Sequence, residues 1–146
     1  MVSIIPVVFE KANTYGDFGW MINQPEYKDV LFLFNDNQEQ FVSFLKGQYN
    51  GCTRGGGNAI IRPYSCSNPP RSAGIPTGSE NEGYSNLKEA KPYIDAAFKR
   101  IEQLISTKLY RRVMYSADKD GKSLGSSIFS PSQSVKDYIL NKIFLL

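Results

Sequence analysis

Histidine is missing from the whole chain, and its absence removes several familiar enzyme classes. The 146 residues contain none. Ser-His-Asp and Cys-His mechanisms need a histidine beside the nucleophile, so both are excluded. A zinc site is also not expected, because the two cysteines, Cys52 and Cys66, do not have the paired spacing of metal ligands. We therefore expect no catalytic triad, no metal site and no cofactor.

Long apolar runs are missing as well. No stretch of the sequence approaches the roughly 20 apolar residues that a membrane-spanning helix requires. The apolar segment 4–9 is short and has no basic residue before it, so a signal peptide is not expected. These features predict a cytoplasmic protein without a membrane partner.

Charge of one sign is not in large excess. The formal net charge is +3, from 17 Lys and Arg against 14 Asp and Glu. This mild basic bias suits a small anionic ligand, whereas a nucleic-acid-binding domain usually carries a denser basic stripe. A nucleic-acid or protein-interaction module is therefore the last-ranked function. The length and the 41% hydrophobic content predict one domain, residues 1–146, with a core that needs no disulfide.

The order of predicted elements indicates an α/β fold with a mixed sheet. The continuous apolar run Val30–Phe34 predicts a strand buried on both faces, ending at the turn-forming residues 35–37. A flexible glycine-rich loop is expected over 46–58. Further short strands are predicted at residues 4–9, 59–62, 74–77, 112–116 and 128–129.

Two main helices are predicted in the C-terminal half, packed on this sheet. The first covers about 85–109, with apolar residues at helical spacing and its regular part beginning near Lys91. The second follows a capping-box pattern over 130–133, with Pro131 at the first helical position. The first half of the chain shows too little helix for a regular doubly wound fold.

Two glycine-containing segments are candidates for phosphate binding. Gly56, Gly57 and Asn58 precede a predicted strand, and glycines let backbone N–H groups converge on an anion. The spacing matches neither a P-loop nor the dinucleotide fingerprint. The second segment contains Gly125 and Ser126. A mobile surface loop and a plain turn are the alternative interpretations of these two segments.

Polar residues follow two predicted strands, at the ends where ligands bind in open α/β sheets. Asn35 and Asp36 follow the first, whereas Ser116 ends the other and Asp118 comes two residues later. Asp36 would accept ribose hydroxyls there. Alternatively, Asp36 and Asp118 would form a carboxylate pair for general acid–base hydrolysis if the strands are neighbours. Ordinary turn chemistry is the alternative for both aspartates.

Arginines supply a third set of candidates. Four residues, Arg62, Arg71, Arg111 and Arg112, carry guanidinium groups that match phosphate and stack on adenine. Tyr84, in a Gly-Tyr-Ser sequence, would offer an aromatic face. Surface salt bridges for the arginines and packing at a helix start for Tyr84 are the alternative interpretations.

Several of these segments occur together, in this order, in a set of small phage proteins. The matching segments are Asn35-Asp36-Asn37, Gly56-Gly57-Asn58-Ala59 with Arg62-Pro63, Arg71-Ser72-Ala73-Gly74-Ile75-Pro76-Thr77-Gly78, Tyr115-Ser116 with Asp118, and Leu124-Gly125-Ser126-Ser127-Ile128-Phe129. Over about residues 30–146 the chain resembles the Thoeris anti-defence sponge proteins of phages, or a related phage family with a similar nucleotide-binding core.

The resemblance implies a non-catalytic homo-oligomer in the cytoplasm of the infected host cell. Members of that family sequester cyclic ADP-ribose isomers made by TIR-domain immune enzymes, without cleaving them. Some also bind cyclic oligonucleotides at separate sites. By this resemblance Arg62 and Arg112 would contact adenine or phosphate, Tyr84 would stack on a base, and the segment 71–77, with Arg71, Gly74 and Thr77, would line a second site between subunits.

Two functions therefore lead the expectations. The first is a protein that binds and sequesters a cyclic nucleotide immune signal, because phosphate-cradling loops occur without a recognisable catalytic set. The second is a hydrolase that processes nucleotides or ADP-ribose at a macro-domain-like site, with Asp36 and Asp118 as the catalytic pair.

Overall fold

A five-stranded sheet forms the centre of the molecule. The computed structural model describes residues 1–125 and 130–146. The strands are β1 (Ser3–Val8), β2 (Val30–Asn37), β3 (Ser72–Ser79), β4 (Glu82–Gly83) and β5 (Arg112–Ala117). Their order is β1-β5-β2-β3-β4, and every neighbouring pair is parallel except β3 with β4. The chain is therefore a single α/β domain with a mixed sheet, as the sequence predicts.

Helices cover both faces of this sheet. They are α1 (Phe18–Met21), α2 (Gln38–Leu45), α3 (Leu87–Ser106) and α4 (Gln133–Phe144), with 3₁₀ segments at Pro25–Tyr27, Tyr49–Cys52 and Gly57–Cys66. Helices α3 and α4 pack on one face, while α1 and the 3₁₀ segment 57–66 pack on the other. Among the described helices, none combines the length and the apolar character needed to cross a membrane.

The two faces of β2 enter two separate cores. Leu31 and Leu33 lie in the cluster formed with α3 and α4, whereas Phe32 and Phe34 lie in the cluster on the opposite face. Successive side chains of a strand point to opposite faces, so a continuously apolar strand fits only where both faces are covered. This burial confirms the prediction for the run 30–34.

The predicted end of β2 is wrong. The strand continues through Asn37, because Asn35 and Asp36 pair with Ile75 and Pro76 of β3. Helix α2 then begins at once, with the Asn37 side chain accepting a hydrogen bond from the Gln40 N–H at 2.8 Å. This helix was not predicted from the sequence, although asparagine three residues before glutamine resembles a capping box.

The strand predicted at 59–62 is also wrong. These residues belong to the 3₁₀ segment Gly57–Cys66. Ala59 and Ile61 are buried in the core on that face, and Ile60 is exposed. A run of three apolar residues does not distinguish a strand from a short helix by periodicity. Hydrogen-bond pairing in the sheet distinguishes a strand from a helix here. Both edges of β2 are already paired, one with β3 and the other with β5.

The starts of both long helices differ from the prediction. Helix α3 begins a turn before Lys91, since the Asn86 side chain accepts from the Glu89 N–H at 2.9 Å and caps the helix. Helix α4 begins at Gln133 with Ser132 as its N-cap, so Pro131 lies before the helix. The Ser132 N–H donates to the Tyr84 carbonyl at 2.8 Å, which holds the chain outside the helix until that residue.

A disulfide joins Cys52 and Cys66, which are 14 positions apart. The expectation that the core needs no disulfide did not consider this pair. It brackets the glycine-rich segment 54–57, so a covalent link closes the loop on which phosphate binding was predicted. The strand predicted at 128–129, together with Ser126, falls outside the described residues.

Candidate functional site

A cavity of about 430 Å³ opens where β2 and β3 end. The loop 54–57, the start of α2 and the turn between β3 and β4 complete its walls. Six of the sequence-predicted ligand residues line it, namely Asn35, Asp36, Gly56, Gly57, Arg62 and Thr77. Ligands of open α/β sheets bind at this end of the strands. The predicted glycine loop and the predicted strand-end residues are thus brought together.

A buried ion pair anchors this cavity. The Arg62 Nη2 donates to Asp36 Oδ1 at 2.6 Å and the Nε donates to the same oxygen at 3.2 Å. Both side chains are 4% exposed. Burial raises the pKa of Asp36 above its ordinary value, and the hydrogen bonds and charge of Arg62 oppose that rise. Arg62 therefore compensates a buried carboxylate, which differs from the direct phosphate contact that was predicted.

Arg62 also holds the glycine loop in place. Its Nη1 donates to the Thr53 carbonyl at 3.0 Å. Gly55 lies directly on the guanidinium group, where an added Cβ would come within 2.8 Å of Nη1. Gly57 has a φ of 55°, a conformation that glycine adopts without cost. The glycines thus let the loop cover the arginine and turn back over the cavity.

Two backbone donors of this loop are unused. Within the described residues, the N–H groups of Gly56 and Gly57 donate no hydrogen bond. Arg54, beside them, is exposed and forms no ion pair within the same residues. Two free N–H groups next to a guanidinium make this wall of the cavity a donor surface, which suits an anionic group.

Several predicted residues lie next to the cavity. The Asn35 Nδ2 donates to the Gly125 carbonyl at 2.7 Å, and the Gly125 N–H donates to the Ser116 carbonyl at 2.9 Å. Gly74 lies against Asp36, since a Cβ there would be 2.8 Å from Oδ2. Asn58 is half-buried in the 3₁₀ segment and is not part of the wall. Of these residues Asn35 lines the cavity, and Gly74 and Gly125 contact residues that line it.

Two predicted arginines lie at the other end of the sheet. Arg71 precedes β3 and donates to the carbonyls of Tyr27 and Val30. Arg112 begins β5, with its Nη2 2.5 Å from Asp29 Oδ1. A strand of eight residues spans roughly 25 Å, so neither arginine joins Arg62. Arg112 is the first residue of β5, at the opposite end of the sheet from the cavity, so the structure does not bring it to the site of Arg62 as the resemblance implied.

Tyr84 and the segment 71–77 are also unsuited to the predicted roles. The Tyr84 side chain is 5% exposed within the core, and its hydroxyl donates to Gln38 Oε1 at 2.9 Å. Residues 72–77 form a buried internal strand between β2 and β4. In this structure the Tyr84 ring is not exposed for stacking on a base, and of the segment 71–77 only Thr77 lines the cavity.

The carboxylate pair required for hydrolysis is not assembled. Strands β2 and β5 are neighbours, as that hypothesis required. Asp36, however, accepts hydrogen bonds from Arg62. Asp118 belongs to a separate turn, where its N–H donates to the Ser123 carbonyl. Asp118 does not line the cavity. The two aspartates therefore do not form one acid–base site.

A second depression, of about 480 Å³, lies beside Trp20 and Tyr64. It contains none of the sequence-predicted ligand residues and does not lie at the ends of β2 and β3. Arg54 borders both depressions. We therefore take the cavity with Asp36 and Gly56 as the candidate site.

Gln40 lines the cavity from the first turn of α2 and was not among the residues predicted from the sequence. Its position three residues after Asn37 was the available signal. No protein-family model, no curated protein and no solved structure matches the chain. The case for function therefore rests on the cavity itself.

Proposed function

We propose that the protein binds a phosphate-bearing nucleotide in this cavity without converting it. The observation that carries the proposal is the wall formed by Arg54 and the unused N–H groups of Gly56 and Gly57 at the carboxyl ends of β2 and β3. Backbone N–H groups on a glycine loop and a guanidinium both match phosphate oxygens.

The electrostatics assign different tasks to the two arginines of the cavity. Arg62 is neutralised by Asp36, so its charge contributes little attraction to an anion. Arg54 is exposed, and no carboxylate of the described residues pairs with it. Arg54 is thus the cation that would meet the phosphate, and Arg62 is the residue that positions the loop.

The ligand class comes from the resemblance. Cyclic ADP-ribose isomers are the first ligands to test, followed by cyclic oligonucleotides, and sequestering such a signal would inhibit an antiviral defence of the host. The homo-oligomeric assembly and the cytoplasmic location belong to the same proposal. Since the cytoplasm keeps thiols reduced, the location implies that the protein works there with Cys52 and Cys66 as thiols.

The binding role is better supported than hydrolysis. A general base must reach the proton that it removes, and Asp36 Oδ1 already accepts from Arg62 and from the Asn37 N–H. No second carboxylate bonds to Asp36 among the described residues. Recovery of a chemically changed nucleotide would favour the hydrolase instead.

Calorimetric titration with cyclic ADP-ribose isomers, followed by chromatography of the released ligand, tests the proposal. We expect the wild-type protein to bind one of them and to release it intact. Arg54→Ala should weaken binding roughly 10- to 100-fold, because it removes charge-assisted hydrogen bonds to phosphate.

Arg111→Ala is the matched control for this titration. Arg111 is also exposed and carries the same charge, but it lies just before β5, away from the cavity. It should leave the affinity almost unchanged at physiological salt. Equal losses in the two variants would mean that only net charge matters, and the proposed site would then be wrong.

A further inference from the structure

The second depression contains two aromatic side chains, Trp20 and Tyr64, whereas no aromatic residue lines the candidate site. Both are half-buried, and Ile60 beside them is 40% exposed. The Trp20 indole N–H donates to no protein atom within the described residues. Because the one buried side-chain atom without a partner there is Gln40 Oε1, this indole N–H is accessible to solvent. The depression therefore presents aromatic surface and a free donor.

Internal hydrogen bonds hold these two aromatic residues in place. The Tyr64 hydroxyl donates to Asn23 Oδ1 at 2.8 Å, and the Asn23 Nδ2 donates to the Gly19 carbonyl at 3.2 Å. The Gln24 Nε2 donates to the Trp20 carbonyl at 3.1 Å. These bonds join the 3₁₀ segment 57–66 to α1 and to the turn after it. A surface that is already ordered loses little conformational freedom when a ligand binds to it.

The charges of the depression favour an uncharged ring as its occupant. Its charged residues are Asp17 and Arg54. The Asp17 oxygens accept hydrogen bonds from the backbone N–H groups of Asn13, Gly19 and Trp20. This carboxylate would repel a phosphate placed beside Trp20, whereas a nucleobase is neutral and stacks on aromatic side chains.

Arg54 connects this depression to the candidate site. Among the described residues, it is the one that lines both. A phosphate held by Arg54 and by the free N–H groups of Gly56 and Gly57 would therefore lie between the two depressions. In a dinucleotide, one nucleoside extends from each side of the phosphates. Such a ligand can place one base in each depression.

We propose that the second depression binds the second base of a dinucleotide, stacked on Trp20, while the diphosphate lies against Arg54 and the glycine loop. This inference rests on the proposed function and adds a class of ligand to it, namely two nucleosides joined through a diphosphate. A cyclic ADP-ribose isomer has a single base, which stays in the candidate site and leaves Trp20 unoccupied.

Titrations with diadenosine diphosphate and with ADP-ribose test the inference. The two ligands share an adenosine, the diphosphate and a second ribose, but only diadenosine diphosphate carries a base on that second ribose. Stacking of this base should make wild type bind diadenosine diphosphate about 5- to 100-fold more tightly. Trp20 is the only tryptophan of the sequence. Its fluorescence should be quenched by diadenosine diphosphate and not by ADP-ribose.

The variant Trp20→Leu separates the second base from the rest of the ligand. Leucine keeps an apolar side chain against the core that Trp20 covers but removes the ring. The variant should bind both ligands equally, with the wild-type affinity for ADP-ribose showing that the candidate site is intact. Phe144→Leu is the matched control, because it removes an exposed aromatic ring from α4, on the opposite face of the sheet. It should keep the wild-type preference.

Three results would overturn the inference and leave the proposed function standing. They are equal affinities of wild type for the two ligands, quenching of Trp20 by ADP-ribose, and a preference for diadenosine diphosphate that persists in Trp20→Leu. The quenching measurement uses wild type alone, so it does not depend on the folding of the variant. Binding of a cyclic isomer without either linear ligand would also overturn the inference alone. If wild type binds none of these nucleotides, the proposed function fails, and the inference fails with it.

Discussion

Arg62→Met should lower the free energy of unfolding by about 3–5 kcal/mol, the loss expected when one partner of a buried ion pair is removed. The variant would leave the Asp36 carboxylate in a site where both side chains are 4% exposed. It would also remove the hydrogen bond to the Thr53 carbonyl. Urea denaturation at neutral pH measures the change through the midpoint at a constant slope.

Arg112→Met is the matched control for this prediction. Arg112 pairs with Asp29, but the two side chains are 29% and 28% exposed. Exposed pairs contribute about 0–1 kcal/mol, so this variant should lose far less than Arg62→Met. The double variant Asp36→Leu/Arg62→Met should recover part of the loss, since no charge is then left buried. Equal losses for the two arginines would contradict the structural role of Arg62.

Removing the disulfide should cost about 3 kcal/mol, because a cross-link over a loop of about 15 residues restricts the unfolded chain. The double variant Cys52→Ser/Cys66→Ser tests this by urea denaturation. Hydrogen exchange should also increase over 53–65, which includes the glycine loop of the cavity. The variant should no longer respond to a dithiol reductant, whereas the wild type should become less stable when reduced.

The same experiment reports on the cavity. If the cross-link holds the donor wall in place, the reduced wild type should bind nucleotide more weakly than the oxidised protein. A wild type whose unfolding midpoint does not respond to reductant would contradict the presence of this disulfide in solution. The redox state is therefore a condition to be set in every titration.

The sequence predicts the central elements well where a long apolar run or a helical period marks the buried residues. The run Val30–Phe34 and the apolar positions of α3, such as Ile94, Phe98 and Ile101, are buried as expected. The segment 59–62 was misassigned because its three apolar residues are too few to show a period. Helix α2 was missed because its signals are a cap at Asn37 and a short amphipathic turn.

The sequence indicated several of the residues that line the cavity, but not what each of them does there. Asp36, Arg62 and the glycines do meet, yet Arg62 and Asp36 are 26 positions apart and bond to each other. A single sequence does not show that a guanidinium faces a buried carboxylate instead of a ligand. The ion pair of Arg112 was not foreseen for a similar reason, since its partner Asp29 is 83 positions away.

Chemical-shift mapping of an isotope-labelled sample during titration with a cyclic ADP-ribose isomer tests the central claim most directly. The account predicts that the backbone amides of Gly56 and Gly57 and the side-chain amide of Gln40 shift together and saturate. The indole signal of Trp20, in the other depression, should stay in place. Shifts centred on Trp20, with Gly56 and Gly57 unaffected, would contradict the assignment of the nucleotide to this cavity.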